Sequence, residues 1–248
     1  MSNKFKHLKE KFLPTGVIQL NFLKLAIRSL LFVAALVIYL SEDKSVAVAF
    51  YEYKSTGAYL LMVIWLFFML EMLARLFPSS SESMGCQKQF GRNYIPGNEQ
   101  TEPGQKQKRK YQQDVIVIII VWVVINAGVG LLYFYGIIDE WILLLISLFY
   151  AVSDVICILF YCPFQSLIMK NRCCVTCRIY NWDFIMMFTP MIFIKSFYSI
   201  SLFAISLLIF IKWEVDYVTH PERFFEETNA RLSCNACSEK LCSFKKDS

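Results

Sequence analysis

Five long stretches in which charged side chains are rare, at residues 21–40, 57–77, 113–135, 140–162 and 184–211, decide what this chain can become. The hydrocarbon core of a bilayer takes about 20 apolar residues of helix to cross, and every run reaches that length. A water-soluble core has no use for so much apolar surface. Of the 248 residues, 56% are hydrophobic and only 18% charged, outside ordinary soluble usage. The expected fold is an all-α integral membrane protein: four transmembrane helices, a fifth apolar region that is re-entrant or a broken fifth span, and a short cytoplasmic C-terminal helix. Its main contact is the lipid bilayer. The first run is followed by "SVAVAF" (45–50), which imitates a signal-peptide cleavage site, but Glu42, Asp43 and Lys44 intervene and the run is too long, so a retained span is expected.

The fifth region is the difficult one. As one straight helix, 184–211 would extend about 42 Å, more than the roughly 30 Å of a hydrocarbon core. Pro190 removes a helical hydrogen bond within it, and Lys195 is expensive at membrane depth. Either an interfacial stretch precedes one crossing, or two short arms dip in and return. The two alternatives put the tail on opposite sides.

Lysine and arginine placement orients the chain. Sixteen fall in the amino-terminal segment with the start of the first run, in the 78–112 loop with Arg75, and in the 163–183 loop; the alternate loops hold only Lys44 and Lys54. The amino terminus is therefore expected in the cytoplasm, and the basic tail mildly favours the same side. The organisation that follows is a cytoplasmic segment (1–20), a hairpin of spans 1 and 2 (21–77), a linker (78–112), a hairpin of spans 3 and 4 (113–162), a Cys-rich loop (163–183), the broken region (184–211) and a Cys-containing tail (212–248). The linker is rich in Ser, Gln, Gly and Pro and lacks apolar periodicity, which predicts disorder. Its "KQKRK" (106–110) is read as an orientation signal and not as a nucleic-acid site.

Three thiols, Cys173, Cys174 and Cys177, crowd the loop before the fifth region, and the tail carries Cys234, Cys237 and Cys242. Two CxxC pairs result, Cys174 with Cys177 and Cys234 with Cys237. Each such turn converges two sulfurs on one metal, and two turns complete a tetrahedron. A structural zinc site stapling the tail to the 163–183 loop is the first reading. An iron–sulfur cluster is the second, with Cys173, Cys242 and Cys162 as spare sulfurs, and dithiol chemistry is the third. A structural disulfide fits poorly with reducing cytoplasm. Cys86 reads as a bystander and Cys157 as a small packed hydrophobe. "THPE" (219–222) fits a capping box, predicting a short helix over 220–232 that delivers Cys234 and Cys237.

Polar residues inside spans are the remaining candidates. Counted by helical rise from the cytoplasmic ends, Asn126, Asp154 and Lys195 fall at similar depths, which predicts an Asp154–Lys195 pair hydrogen-bonded to Asn126. Glu71 and Arg75 are i,i+4 neighbours and read as a surface-level pair. In "NWD" (181–183), Asn181 or Asp183 is expected to cap the following helix and Trp182 to sit at an interface.

No hydrolase, kinase or nucleotide-binding pattern is present. The two histidines, His7 and His220, lie outside the spans, so haem ligation by an intramembrane His pair has no candidates. The expectation is a non-enzymatic membrane protein with a juxtamembrane four-cysteine site, an assembly or transport component whose protein partners meet the cytoplasmic loops. Its alternative is a membrane redox protein, the one enzyme class left open.

Overall fold

The computed structural model describes residues 16–41, 56–78, 85–97, 105–169 and 178–233. Within them the chain is helical and has no strand, and five helices are long and apolar enough to cross a membrane. These are α1 (Gly16–Leu40), α2 (Thr56–Arg75), α4 (Gln105–Phe134), α5 (Glu140–Leu159) and α7 (Phe197–Thr219), with two short helices, α3 (Gly85–Gln89) and α6 (Asp183–Phe188). Side chains are distributed inside out relative to a soluble protein. Leu30, Val124 and Leu208 stand 58–68% exposed on the outer faces, whereas the Arg28 and Arg75 side chains are buried. Lipid as the surrounding solvent accounts for both facts, because hydrocarbon accepts the leucines and only the interior offers charges a partner.

Local signals in the sequence set the helix ends. α4 stops at a Schellman turn: Gly136, at φ 71°, donates to the Tyr133 carbonyl and Ile137 to that of Leu132, both at 2.9 Å. Three residues later Asp139 caps α5, its carboxylate accepting from the Ile142 amide at 2.8 Å. α4 and α5 thus form a tight hairpin, although they touch each other only sparsely; α5 packs most extensively on α1, and α4 is held chiefly by residues 164–169 and 189–193.

The fifth apolar region is longer than the hydropathy of 184–211 suggests, and it folds back on itself. An arm of three pieces, a 3₁₀ turn (Arg178–Trp182), α6 and a second 3₁₀ turn (Thr189–Phe193), leads into α7. Arg178 lies beside Tyr111 near one end of α4, and Phe193 packs on Gly130 and Tyr133 near the other. Its 3₁₀ segments rise about 2.0 Å per residue against 1.5 Å in an α-helix, so sixteen residues cover about 29 Å. Ser196 then caps α7 by accepting from the Ser199 amide, and α7 returns to the starting end, where Glu214 meets Arg178. The helix runs past 211 because its charges are matched there: Lys212 pairs with Asp216 at 3.1 Å, and Glu214 accepts from Arg178 and Trp182.

Two expectations need correction at that end. The predicted helix over 220–232 is absent. α7 stops at Thr219, whose hydroxyl donates to the Val215 carbonyl instead of capping a new helix, and only short 3₁₀ turns follow at Pro221–Arg223 and Ala230–Leu232. Pro221 is the cause, since it disfavours helical geometry at His220, which sits at φ −135°, ψ 58°. Nor is the 78–112 stretch a linker throughout. Residues 85–97 pack under the tail and 105–112 belong to α4, while 79–84 and 98–104 lie outside the described residues. Here the tail supplies what the local sequence lacks. Buried Asn229 donates to the carbonyls of Lys88 and Arg223, Ala230 donates to Ile95 and Gly97 to Thr228, and Phe90 stacks edge-on against Trp213.

Gly97 approaches the Glu227 carbonyl so closely that an added Cβ would sit 2.2 Å from its oxygen. Gly97→Ala is expected to detach the tail segment and speed proteolysis within 221–233 by about tenfold or more, the equivalent of one or two lost hydrogen bonds. Gly128→Ala, which meets nothing within 4 Å, should leave the cleavage rate unchanged in the same limited-digestion assay.

Candidate functional site

Six ionisable side chains from four helices meet inside the bundle. Arg28, on α1, is 2% exposed and lies at the centre. Its Nη1 donates to the Ala151 carbonyl at 2.8 Å and to Asp154 Oδ2 at 3.0 Å, and its Nη2 donates to Glu71 Oε2 at 2.9 Å. Lys24, one turn earlier on α1, approaches the other Glu71 oxygen at 3.1 Å. Arg75, one turn beyond Glu71 on α2, donates to Asp183 Oδ2 at 2.6 Å. Aromatic faces complete the shell: Phe68 under Arg28, and Tyr180 and Phe184 beside Arg75. Three cations face three carboxylates, so the cluster is formally neutral, which is the condition for holding charge in a low-dielectric interior.

The expected intramembrane trio is therefore rearranged. Asp154 pairs with Arg28, not with Lys195. Lys195 is exposed in the turn between Phe193 and α7, at the far end of the arm from the charge cluster. Asn126 bonds within its own helix, donating to the Trp122 carbonyl at 2.9 Å, and its Oδ1 has no partner among the described residues. Glu71 turns to Arg28 and Lys24, and Arg75 is buried against Asp183 instead of lying at the surface. In "NWD", Asp183 accepts from the adjacent Phe184 amide and gives its other oxygen to Arg75, Asn181 donates to Gln89 Oε1 at 2.8 Å, and Trp182 donates to Glu214. All three residues tie the arm to its neighbours.

A cavity of about 130 Å³ adjoins the cluster, between α4, α5 and the arm. Asp154 and Asp183 lie on its polar side, and Trp122, Tyr150, Met186 and Met187 contribute apolar wall. Cys157 and Cys162, both half-buried, line it too, so Cys162 belongs to this interior space.

A second set of contacts fixes the end of the bundle from which the cysteines depart. The Arg178 guanidinium donates from Nε and Nη2 to the two oxygens of Glu214, and it stacks 3.9 Å from the Tyr217 ring centroid. Its amide donates to the Tyr111 hydroxyl. Asn181 reaches Gln89, and Asn229 reaches the carbonyl of the preceding residue, Lys88. The start of the arm and the tail at Asn229 are thus bonded to adjacent residues of one short segment. Cys173, Cys174, Cys177, Cys234, Cys237 and Cys242 themselves lie outside the described residues. Among the described residues, no group of three or more His, Cys, Asp or Glu side chains is disposed to hold a metal ion.

In the sequence Arg28 and Lys24 read as part of a basic flank, so their place in the charge cluster is not anticipated. Both fall within the apolar run, well inside α1, and that position was the available signal. Comparison with protein-family models, with curated proteins and with solved structures returns no match.

Removing Arg28 strands Asp154 in the interior and leaves Glu71 to Lys24 alone. Arg28→Leu is expected to destabilise the protein by about 3–5 kcal/mol, measured by equilibrium unfolding in detergent micelles. Lys195→Ala should leave the transition where it is.

Proposed function

We propose that this chain is a non-enzymatic membrane module in which Cys174, Cys177, Cys234 and Cys237 together bind one zinc ion and staple the tail to the 163–183 loop. By the distribution of lysine and arginine, that end of the bundle faces the cytoplasm, as does the amino terminus. There the stapled loop and tail, with residues 85–97 between them, form one face for a protein partner of an assembly or transport component.

One observation carries the reading. Arg178 follows Cys177 directly, Ser233 precedes Cys234 directly, and the segments that begin and end at these residues are anchored at the same end of the bundle through Gln89 and the Lys88 carbonyl. Two CxxC turns leaving neighbouring anchors need no rearrangement of the helices to share a metal. Four thiolates also suit zinc chemically, since a closed all-cysteine set leaves no open coordination position for catalysis.

The experiment is metal analysis of anaerobically purified protein, with zinc, iron and acid-labile sulfide counted per chain. About one zinc per chain is expected from a four-thiolate structural site, falling to background in Cys174→Ser and Cys237→Ser and unchanged in Cys157→Ser. Iron with sulfide would replace the staple by an iron–sulfur cluster and make electron transfer the function. Equal metal content in all three variants would remove the shared site.

A further inference from the structure

We infer that the cavity beside Asp154 is a binding site for an uncharged amphiphile, a single ring bearing one hydroxyl donor. The inference does not rest on the zinc site, and none of the residues it uses is among the proposed metal ligands.

Size sets the first limit. A volume of about 130 Å³ is close to that of a cavity of about 150 Å³ that accepts benzene, so one ring fits. Wall chemistry sets the second. Trp122 and Tyr150 pack at 4.7 Å between centroids on one side, and Met186 and Met187 also line the space, a residue type whose thioether makes favourable contacts with an aromatic ring.

Charge sets the third and most selective limit. Asp154 and Asp183 both line the space, but the Asp183 side chain is 2% exposed and that of Asp154 is 18% exposed. Asp154 is therefore the carboxylate that a ligand reaches. Each of these carboxylates already has an arginine, Arg28 for Asp154 and Arg75 for Asp183, and the whole cluster is neutral. A cationic ligand would leave an excess positive charge in a low-dielectric interior, and an anionic one would face two carboxylates. A neutral hydroxyl adds a charge-assisted hydrogen bond to Asp154 and disturbs neither ion pair. Ligand chemistry of this kind, a phenol-like head with an apolar body, also partitions into membranes, where α4 and α5 meet only sparsely.

The test uses the full chain in lipid nanodiscs with phenol and anisole as probes, the second carrying a methyl group in place of the hydroxyl hydrogen. Methyl-labelled methionine NMR reads ring-current shifts at Met186 and Met187. Phenol is expected to shift both methyls saturably and to bind about tenfold more tightly than anisole, as one hydrogen bond to a charged group requires. Met186→Trp, which fills the cavity and leaves the Arg28 and Arg75 pairs intact, is expected to abolish the phenol shift at Met187. Equal affinity for the two probes would overturn recognition through Asp154. No saturable shift at either methionine, or an undiminished shift at Met187 in Met186→Trp, would overturn the site.

Discussion

A guanidinium buried in a lipid-embedded bundle cannot shed its charge, so everything around Arg28 must answer to it. An arginine that stays protonated can be accommodated only by opposite charge and by hydrogen-bond acceptors at close range. Glu71, Asp154 and the Ala151 carbonyl meet that need from α2 and α5. Three helices are thereby fixed in mutual rotation and height, because a shift of one residue in any of them would turn a charged side chain away from its partner. Hydrophobic contact does not select register in this way, since lipid tails compete for apolar surface on nearly equal terms. Leu61, Ile64 and Phe68 fill the space between the helices; the charges decide how those helices stand.

The same logic continues outward to the arm. Arg75 holds Asp183 at the start of α6, and Arg178 holds Glu214 near the end of α7, so both strokes of the broken fifth region are pinned at the end where the chain enters and leaves it. Between those pins the arm is stretched by its 3₁₀ turns to the length that α4 sets. Pro190, which would break a long helix, sits within the second 3₁₀ turn, where the path is already irregular. One side of the irregular backbone is packed on protein, where Pro190, Met191 and Ile194 are buried, while Ile192 and Lys195 face outward.

The apolar runs made the five long helices legible, since length and hydropathy are properties of a segment alone. Partnerships were not legible to the same degree, because they depend on three-dimensional level. Asp154 stands out in the sequence as a polar residue within a span, but α-helical rise puts Lys195 at its level only if the arm is an α-helix, and the arm rises faster. Arg28 was hidden by its resemblance to a basic flank, and its partners lie 43 and 126 residues away. The order in 85–97 was invisible for a related reason: that segment owes its structure to Asn229 and Trp213, which no local composition reports. The sequence also offered a re-entrant path as one of two alternatives for the fifth region. The fold makes that return, from Arg178 out to Phe193 and back to Glu214.

The Arg28–Asp154 pair also imposes an order on biogenesis. α1 leaves the ribosome carrying Lys24 and Arg28, and the carboxylate that completes the cluster from α5 follows 126 residues later. At about 5–20 residues per second of synthesis, the first span waits roughly 6–25 s for that partner. Glu71 arrives after 43 residues and can pair with Arg28 in the interval, but α1 and α2 together still set three of the cluster's cations against that one carboxylate, so the charges balance only once Asp154 and Asp183 have been made. Among the described helices α7 is made last, and it closes the bundle over charges that were already matched.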